Sequence, residues 1–265
     1  MPHVSDSSES ICNGTIGSNM GASLSGENET DMTPRQHNIQ STCGRFTRDV
    51  LLFRGSADES GNCCIFLDGE LYTDRVKAPD IIREALAAGS LPLMDCLYLP
   101  NASAAGRHAD YTCHEGFAAF VAVDLPRWIE REAGRFERLF LGGLSLSGLQ
   151  AVFTALRHPG VFSGVLSQSP SAWWQDESLA RSLIPADDSR NRFWLSVGTQ
   201  ELQEDVSHPP TPLHQKTSQL GSVRRLASAM TDASHEIHCH EYVGGHDPVC
   251  WGAELPHALA WLMKS

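Results

Sequence analysis

RLFLGGLSLSGLQAVFTALRHPG, residues 138–160, is the stretch that decides the fold. An apolar run at 138–143 breaks at a glycine pair, presents Ser145, and passes directly into a helical stretch over 146–158. A strand-to-helix turn this tight strains the residue at its apex and needs small residues two positions before and two after it. Gly143 meets the first need. The second position is Ser147 in place of the usual glycine, with Gly148 one residue later. A serine at the start of a helix also sits at the positive end of the helix dipole, beside N–H groups with no partner inside the helix. Ser145 is therefore the expected nucleophile, and the Leu146 N–H the first expected oxyanion donor.

Working outward, a serine hydroxyl needs a base to take its proton, and that base needs an acid to orient it; on such a turn the chain order is Ser, acid, His. Of the twelve histidines, His246 in YVGGHDPVCW follows a strand run and precedes the last helix, in a loop that Gly244 and Gly245 allow to turn sharply. The acid is expected just beyond RFWLSV (192–197), which points to Glu201, with Asp205 as the alternative. Asp247 adjoins the base and is poorly placed to reach its ring. A second oxyanion donor is expected in the loop after CCIFL (63–67), from Gly69, Glu70 or Leu71, with Asp68 buttressing the turn. His108 and His114 follow another strand run and are further candidates to line the site.

The surrounding pattern fits this reading. Strand runs DVLLF (49–53), CCIFL (63–67), DCLYL (95–99), RLFLGG (138–143), GVLSQ (164–168), RFWLSV (192–197) and EIHCHEYV (236–243) alternate with helical stretches over 79–88, 117–132, 146–158, 217–233 and 251–263. Pro126 is expected to bend or interrupt the second helix. Together they predict an α/β-hydrolase fold, a mostly parallel sheet with helices on both faces. Residues 1–45, rich in Ser, Asn, Gly and Thr, are expected to be a disordered polar segment, leaving 46–265 as one catalytic domain.

Composition narrows the function. At 265 residues and 41% hydrophobic content the chain suffices for one well-packed domain. A net charge of −12 without a Lys/Arg cluster excludes a phosphate-backbone binder. It also slows the approach of a strongly anionic ester unless the site is locally basic. No secretory leader or membrane span is read, so the default location is cytoplasmic. The eight cysteines show no C-x-x-C pair and read as reduced thiols. His238 and His240 share a strand face, but no further ligands follow at suitable spacing, so neither a metal nor a cofactor is expected.

Several segments together resemble the catalytic domain of the enterochelin (ferric enterobactin) esterase family: FLDGELY (66–72), RHADYTCHEGFAAFVAVDLPRW (107–128), LGGLSLSGLQA (141–151), VLSQSPSAWW (165–174) and GGHDPVCW (244–251). The resemblance implies hydrolysis of the ester bonds of a catechol-bearing triserine trilactone, with Ser145 as nucleophile and His246 as base. It also implies Arg107 and the pair Trp173 and Trp174 as contacts for an anionic iron-catecholate substrate. The same residues would equally serve acyl transfer or thioester release, and a catalytically silent siderophore-binding protein is the reading from another class.

Overall fold

In the computed structural model, which describes residues 33–55, 61–183 and 191–264, the apolar runs become strands of one eight-stranded sheet. In chain order the strands are β1 (Arg35–Gln40), β2 (Thr47–Phe53), β3 (Asn62–Leu67), β4 (Asp95–Leu99), β5 (Arg138–Leu144), β6 (Gly164–Gln168), β7 (Arg192–Gly198), β8 (Val206–Ser207), β9 (His214–Gln215) and β10 (Glu236–Tyr242). The large sheet runs β1-β2-β4-β3-β5-β6-β7-β10, while β8 and β9 pair as a small ribbon of their own. β1 and β2 are antiparallel to their neighbours, and every pairing from β4 to β10 is parallel.

The helices are α1 (Gly69–Leu71), α2 (Ala78–Ala87), α3 (Ala104–Asp110), α4 (Glu115–Ala119), α5 (Leu125–Ala133), α6 (Leu146–Arg157), α7 (Trp174–Arg181), α8 (Gln219–Asp232) and α9 (Pro248–Met263), with π-turns at Tyr72–Val76 and Phe120–Asp124. They cover both faces of the sheet. Cys63, Ile65 and Leu67 of β3 pack with α4, α5, α6 and α8, whereas Cys64 and Phe66 pack with α2 and α9. Burial on both faces is why the inner strands β3, β4, β5, β6 and β7 read as continuous apolar runs instead of alternating ones. The architecture is that of an α/β-hydrolase.

Two features answer to local chemistry. The stretch from α4 to α5 stays helical through a π-turn that ends just before Leu125 and Pro126. Proline has no N–H to give the carbonyl four residues back, and the wider turn absorbs that loss without ending the helix. At the other end, the expectation of a disordered segment to residue 45 is corrected. β1 lies inside that segment, pairs with β2 from Arg35↔Leu52 to Gln40↔Thr47, and buries Ile39. An edge strand draws its hydrogen bonds from one neighbour and needs few apolar side chains, so the polar RQHNIQ passes unnoticed in composition. The remainder of that segment, residues 1–32, lies outside the described residues. Every cysteine among the described residues is free, and none of the described helices is long and apolar enough to cross a membrane.

Candidate active site

Ser145 occupies the turn between β5 and α6 with φ 56° and ψ −120°, a conformation costly for any residue with a Cβ. The elbow is closed around it. A Cβ on Gly143 would lie 2.2 Å from the Ser147 carbonyl oxygen, so only glycine fits there. Ser147 is accommodated because its buried hydroxyl folds back on the turn, accepting the Leu144 N–H (2.9 Å) and donating to the Leu144 carbonyl (2.8 Å). The Ser145 N–H donates to the Gln168 carbonyl (2.8 Å), and its own carbonyl accepts from Ser171 (3.0 Å), tying the elbow to the end of β6. Leu146 is the first residue of α6, where a backbone N–H has no partner within its helix.

The loop after β3 turns through Asp68, which is fully buried in the left-handed region (φ 55°). Arg107 forks onto this carboxylate, with Nε at 2.9 Å and Nη2 at 2.6 Å from Oδ2, and the Asp68 N–H donates to the Tyr111 hydroxyl (3.1 Å). Arg107, expected against the substrate, holds this turn. A Cβ on Gly69 would lie 2.7 Å from the Leu99 nitrogen, which fixes a glycine at that position. The Leu71 N–H donates to the Asp68 carbonyl (2.8 Å), which removes Leu71 from the three donor candidates. Gly69 and Glu70 open α1, where amides lack a helical partner.

His246 Nδ1 lies 2.7 Å from Glu201 Oε2. The other oxygen, Oε1, accepts from the Gly198 N–H (2.8 Å) and the Ser169 hydroxyl (2.7 Å), and the Tyr242 hydroxyl stands 3.2 Å away. Burial pushes the Glu201 carboxyl up, but hydrogen bonds and charge from His246, with those from Ser169 and Gly198, hold it below its ordinary value. The alternative acid is accounted for elsewhere: Asp205 is exposed and lies 3.6 Å from His214. Asp247 caps α9 through the Val249 N–H (2.8 Å).

Ser169 was not singled out in the sequence, although it lies in the SQSPSAWW segment. Its hydroxyl joins Glu201 to the Tyr242 hydroxyl (2.9 Å) and to the Trp251 indole N–H (3.2 Å), and Trp251 in turn meets His246 edge-on. Ser169→Ala is expected to lower kcat/KM on p-nitrophenyl acetate by about tenfold, the worth of one hydrogen bond to a charged group. An unchanged unfolding midpoint beside that loss would separate positioning from general destabilisation.

Ser145, Glu201 and His246 all line one cavity of about 380 Å³. Trp173 forms part of its wall, with its indole N–H on Gln219 Oε1 (2.5 Å) and its ring stacked on His208 at 5.3 Å. The other expected substrate contacts lie elsewhere. Trp174 packs against the core, and His108 on α3 keeps a buried Nε2 without a hydrogen-bond partner, away from this cavity's walls. His114 caps α4 by accepting the Phe117 N–H on Nδ1 (2.9 Å). What sequence reading missed is the excursion between β7 and α8, whose β8–β9 ribbon brings Val206, His208 and Gln215 to the cavity.

Behind the elbow lies a buried carboxyl, Glu254, whose Oε1 accepts from Ser196 (2.6 Å) and from Gln168 Nε2 (2.6 Å). Burial pushes it up to about 7 from 4.5, against the pull of its hydrogen bonds. Between those values the native carboxyl holds a proton that the unfolded one has lost, so stability falls as pH rises through that window. Glu254→Gln is expected to flatten this fall, by about 3 kcal/mol in full, in urea titrations at about pH 5 and about pH 8.

Known proteins match this architecture. The chain is 26% identical over 220 residues to the iron(III) enterobactin esterase of Dickeya dadantii, covering 79% of this chain and 50% of that one. It is 30% identical over 143 residues to the iron(III) salmochelin esterase of Escherichia coli, covering 51% of this chain and 32% of that one. The chain thus spans at most about half the length of these curated relatives. The enterobactin esterase of Shigella flexneri, solved in the presence of enterobactin, superposes with a TM-score of 0.74 at 22% identity, covering 88% of this chain and 59% of that one. A siderophore hydrolase of Aspergillus nidulans, EstB, superposes with a TM-score of 0.63 at 15% identity, covering 87% of this chain and 94% of that one. At these identities the superpositions speak for the fold alone. The Esterase family profile matches residues 46–262, from the loop before β2 to the last turn of α9, and the chain belongs to the Esterase family.

Proposed function

We propose that this protein is a serine hydrolase of carboxylic esters that works through an acyl-enzyme on Ser145. The observation that carries this reading is the Glu201–His246 pair at 2.7 Å, opening on the cavity that the strained Ser145 also lines. Glu201 is a carboxylate, so it holds the imidazole with its proton on Nδ1 and leaves Nε2 to accept. His246 takes the Ser145 proton as Oγ attacks the ester carbonyl. The Leu146 N–H and an amide from Gly69 or Glu70 hold the oxyanion. His246 then gives its proton to the departing alcohol, leaving the acyl-enzyme. A water enters, loses a proton to His246, attacks the acyl carbon and frees the acid, and the proton returns to Ser145.

The curated relatives are named as esterases of iron(III) siderophores, which supports an ester of the siderophore class as substrate. A fluorophosphonate probe tests the nucleophile without knowledge of that substrate. Mass spectrometry of the digested adduct is expected to find the phosphonyl group on Ser145. A folded protein that takes no label would leave a binding protein in place of the hydrolase.

A further inference from the structure

Beyond the Glu201–His246 pair, most of the wall of the cavity beside Ser145 is built from amide and other hydrogen-bonding side chains. Four side-chain amides reach it, Gln200, Gln203, Gln215 and Gln219, together with Trp173 and His208. Among the described residues no lysine or arginine lines it. Lys216, next to Gln215 in the chain, is paired with Asp176 (2.8 Å), Arg225 with both oxygens of Glu177, and Arg107 with Asp68 (2.6 Å). On the acidic side, Glu201 is a carboxylate beside His246, and Glu204 and Asp205 are exposed on the same excursion. The whole chain carries a net charge of −12.

An amide side chain both donates and accepts, so it matches a neutral amide or hydroxyl and does nothing to cancel a full negative charge. Two of the four are anchored. Gln219 accepts from Trp173 and donates to the Pro170 carbonyl (2.9 Å), and Gln215 donates to the Gln203 carbonyl (3.0 Å). Gln200 and Gln203 are exposed and free to reach a ligand. His208, stacked flat on Trp173, keeps a buried Nε2 without a hydrogen-bond partner at this wall. A multiply anionic ester would approach a negative protein and find, among the described residues lining the cavity, no lysine or arginine to replace its water.

Resting on the acyl-enzyme reading of Ser145, we infer that the substrate is an electrically neutral ester whose amide or hydroxyl groups are bound by the glutamines, and that a trianionic iron(III) tris-catecholate is a poor substrate. Uncharged esters of two kinds fit: a metal-free ligand, or an iron(III) chelate whose ligand charges cancel those of the metal.

Three probes separate charge from metal and from size: metal-free enterobactin, its trianionic iron(III) complex, and the neutral iron(III) complex of an ester-linked tris-hydroxamate. The metal-free ester and the neutral chelate are expected to be hydrolysed with kcat/KM at least about tenfold above the trianion, a gap that narrows as added salt screens the repulsion. Gln203→Lys is expected to narrow the gap further by raising the rate on the trianion. Equal or faster turnover of the trianion overturns the inference, as does rejection of the neutral chelate to the same degree as the trianion. Fluorophosphonate labelling of Ser145 in the same preparation keeps the two readings apart: labelled enzyme that prefers the trianion sinks only the substrate class, whereas unlabelled enzyme inert on all three sinks the hydrolase.

Discussion

Ser145→Ala is expected to lower kcat on p-nitrophenyl acetate by about 10⁴-fold or more, leaving the residual rate that oxyanion donors and binding supply without a nucleophile. The substitution is mild for the fold. Alanine keeps the Cβ, so the strained φ of 56° stays as it is, and the backbone bonds to Gln168 and Ser171 do not involve the hydroxyl. The unfolding midpoint should therefore stay within about 2 °C of the parent. Turnover near the parental rate in a folded Ser145→Ala protein would remove Ser145 from the chemistry.

Glu201→Gln carries the second large effect, about 10³ to 10⁴-fold in kcat, and the geometry says why. Oε1 receives the Gly198 N–H and the Ser169 hydroxyl, so the glutamine must place its oxygen there and turn its amide nitrogen toward His246. That nitrogen is a donor where the imidazole Nδ1–H also donates. The conflict is relieved when the ring proton moves to Nε2, and that tautomer has no lone pair to receive the Ser145 proton. Kinetics on p-nitrophenyl acetate, with a crystal structure or NMR of the imidazole, would show the loss together with the shifted proton. A Glu201→Gln enzyme within tenfold of the parent would mean that Glu201 does not set the tautomer.

The stability consequence of Glu201 runs opposite to that of Glu254. Glu201 has its carboxyl held below the ordinary value, so the stability it adds is present above the unfolded value and is lost as pH falls through the folded one. Glu254 is raised to about 7 and loses stability as pH climbs toward that value. Two acids in one domain thus press stability from both sides.

Much of the domain is legible in the chain. Each apolar run forms a strand, and for β3, β4, β5, β6 and β7 the reason is that inner strands buried on both faces need unbroken apolar sequence, a pattern that is local. The elbow is legible for the same reason. Gly143 and Ser145 lie two residues apart, and their steric needs are set by the turn itself. Glu201 and His246 follow from chain order and from their places after β7 and β10.

Contacts made across long stretches of chain escape that reading. Nothing in RHAD says that Arg107 will meet Asp68, thirty-nine residues away. Trp173 and Trp174 are neighbours with one composition, yet the turn into α7 sends the first to the cavity and the second to the core. The polar β1 is a strand only because β2 offers it an edge. The sequence by itself determined the α/β architecture and the serine at its elbow, both products of short-range sterics and hydrophobic periodicity. Only the tertiary structure sets Glu201, and not Asp205, 2.7 Å from His246, gathers Ser169 and Tyr242 around Glu201, and lines the cavity with amides and, among the described residues, no lysine or arginine. Those outcomes depend on which loops converge at one end of the sheet, and that is set by the packing of the whole domain.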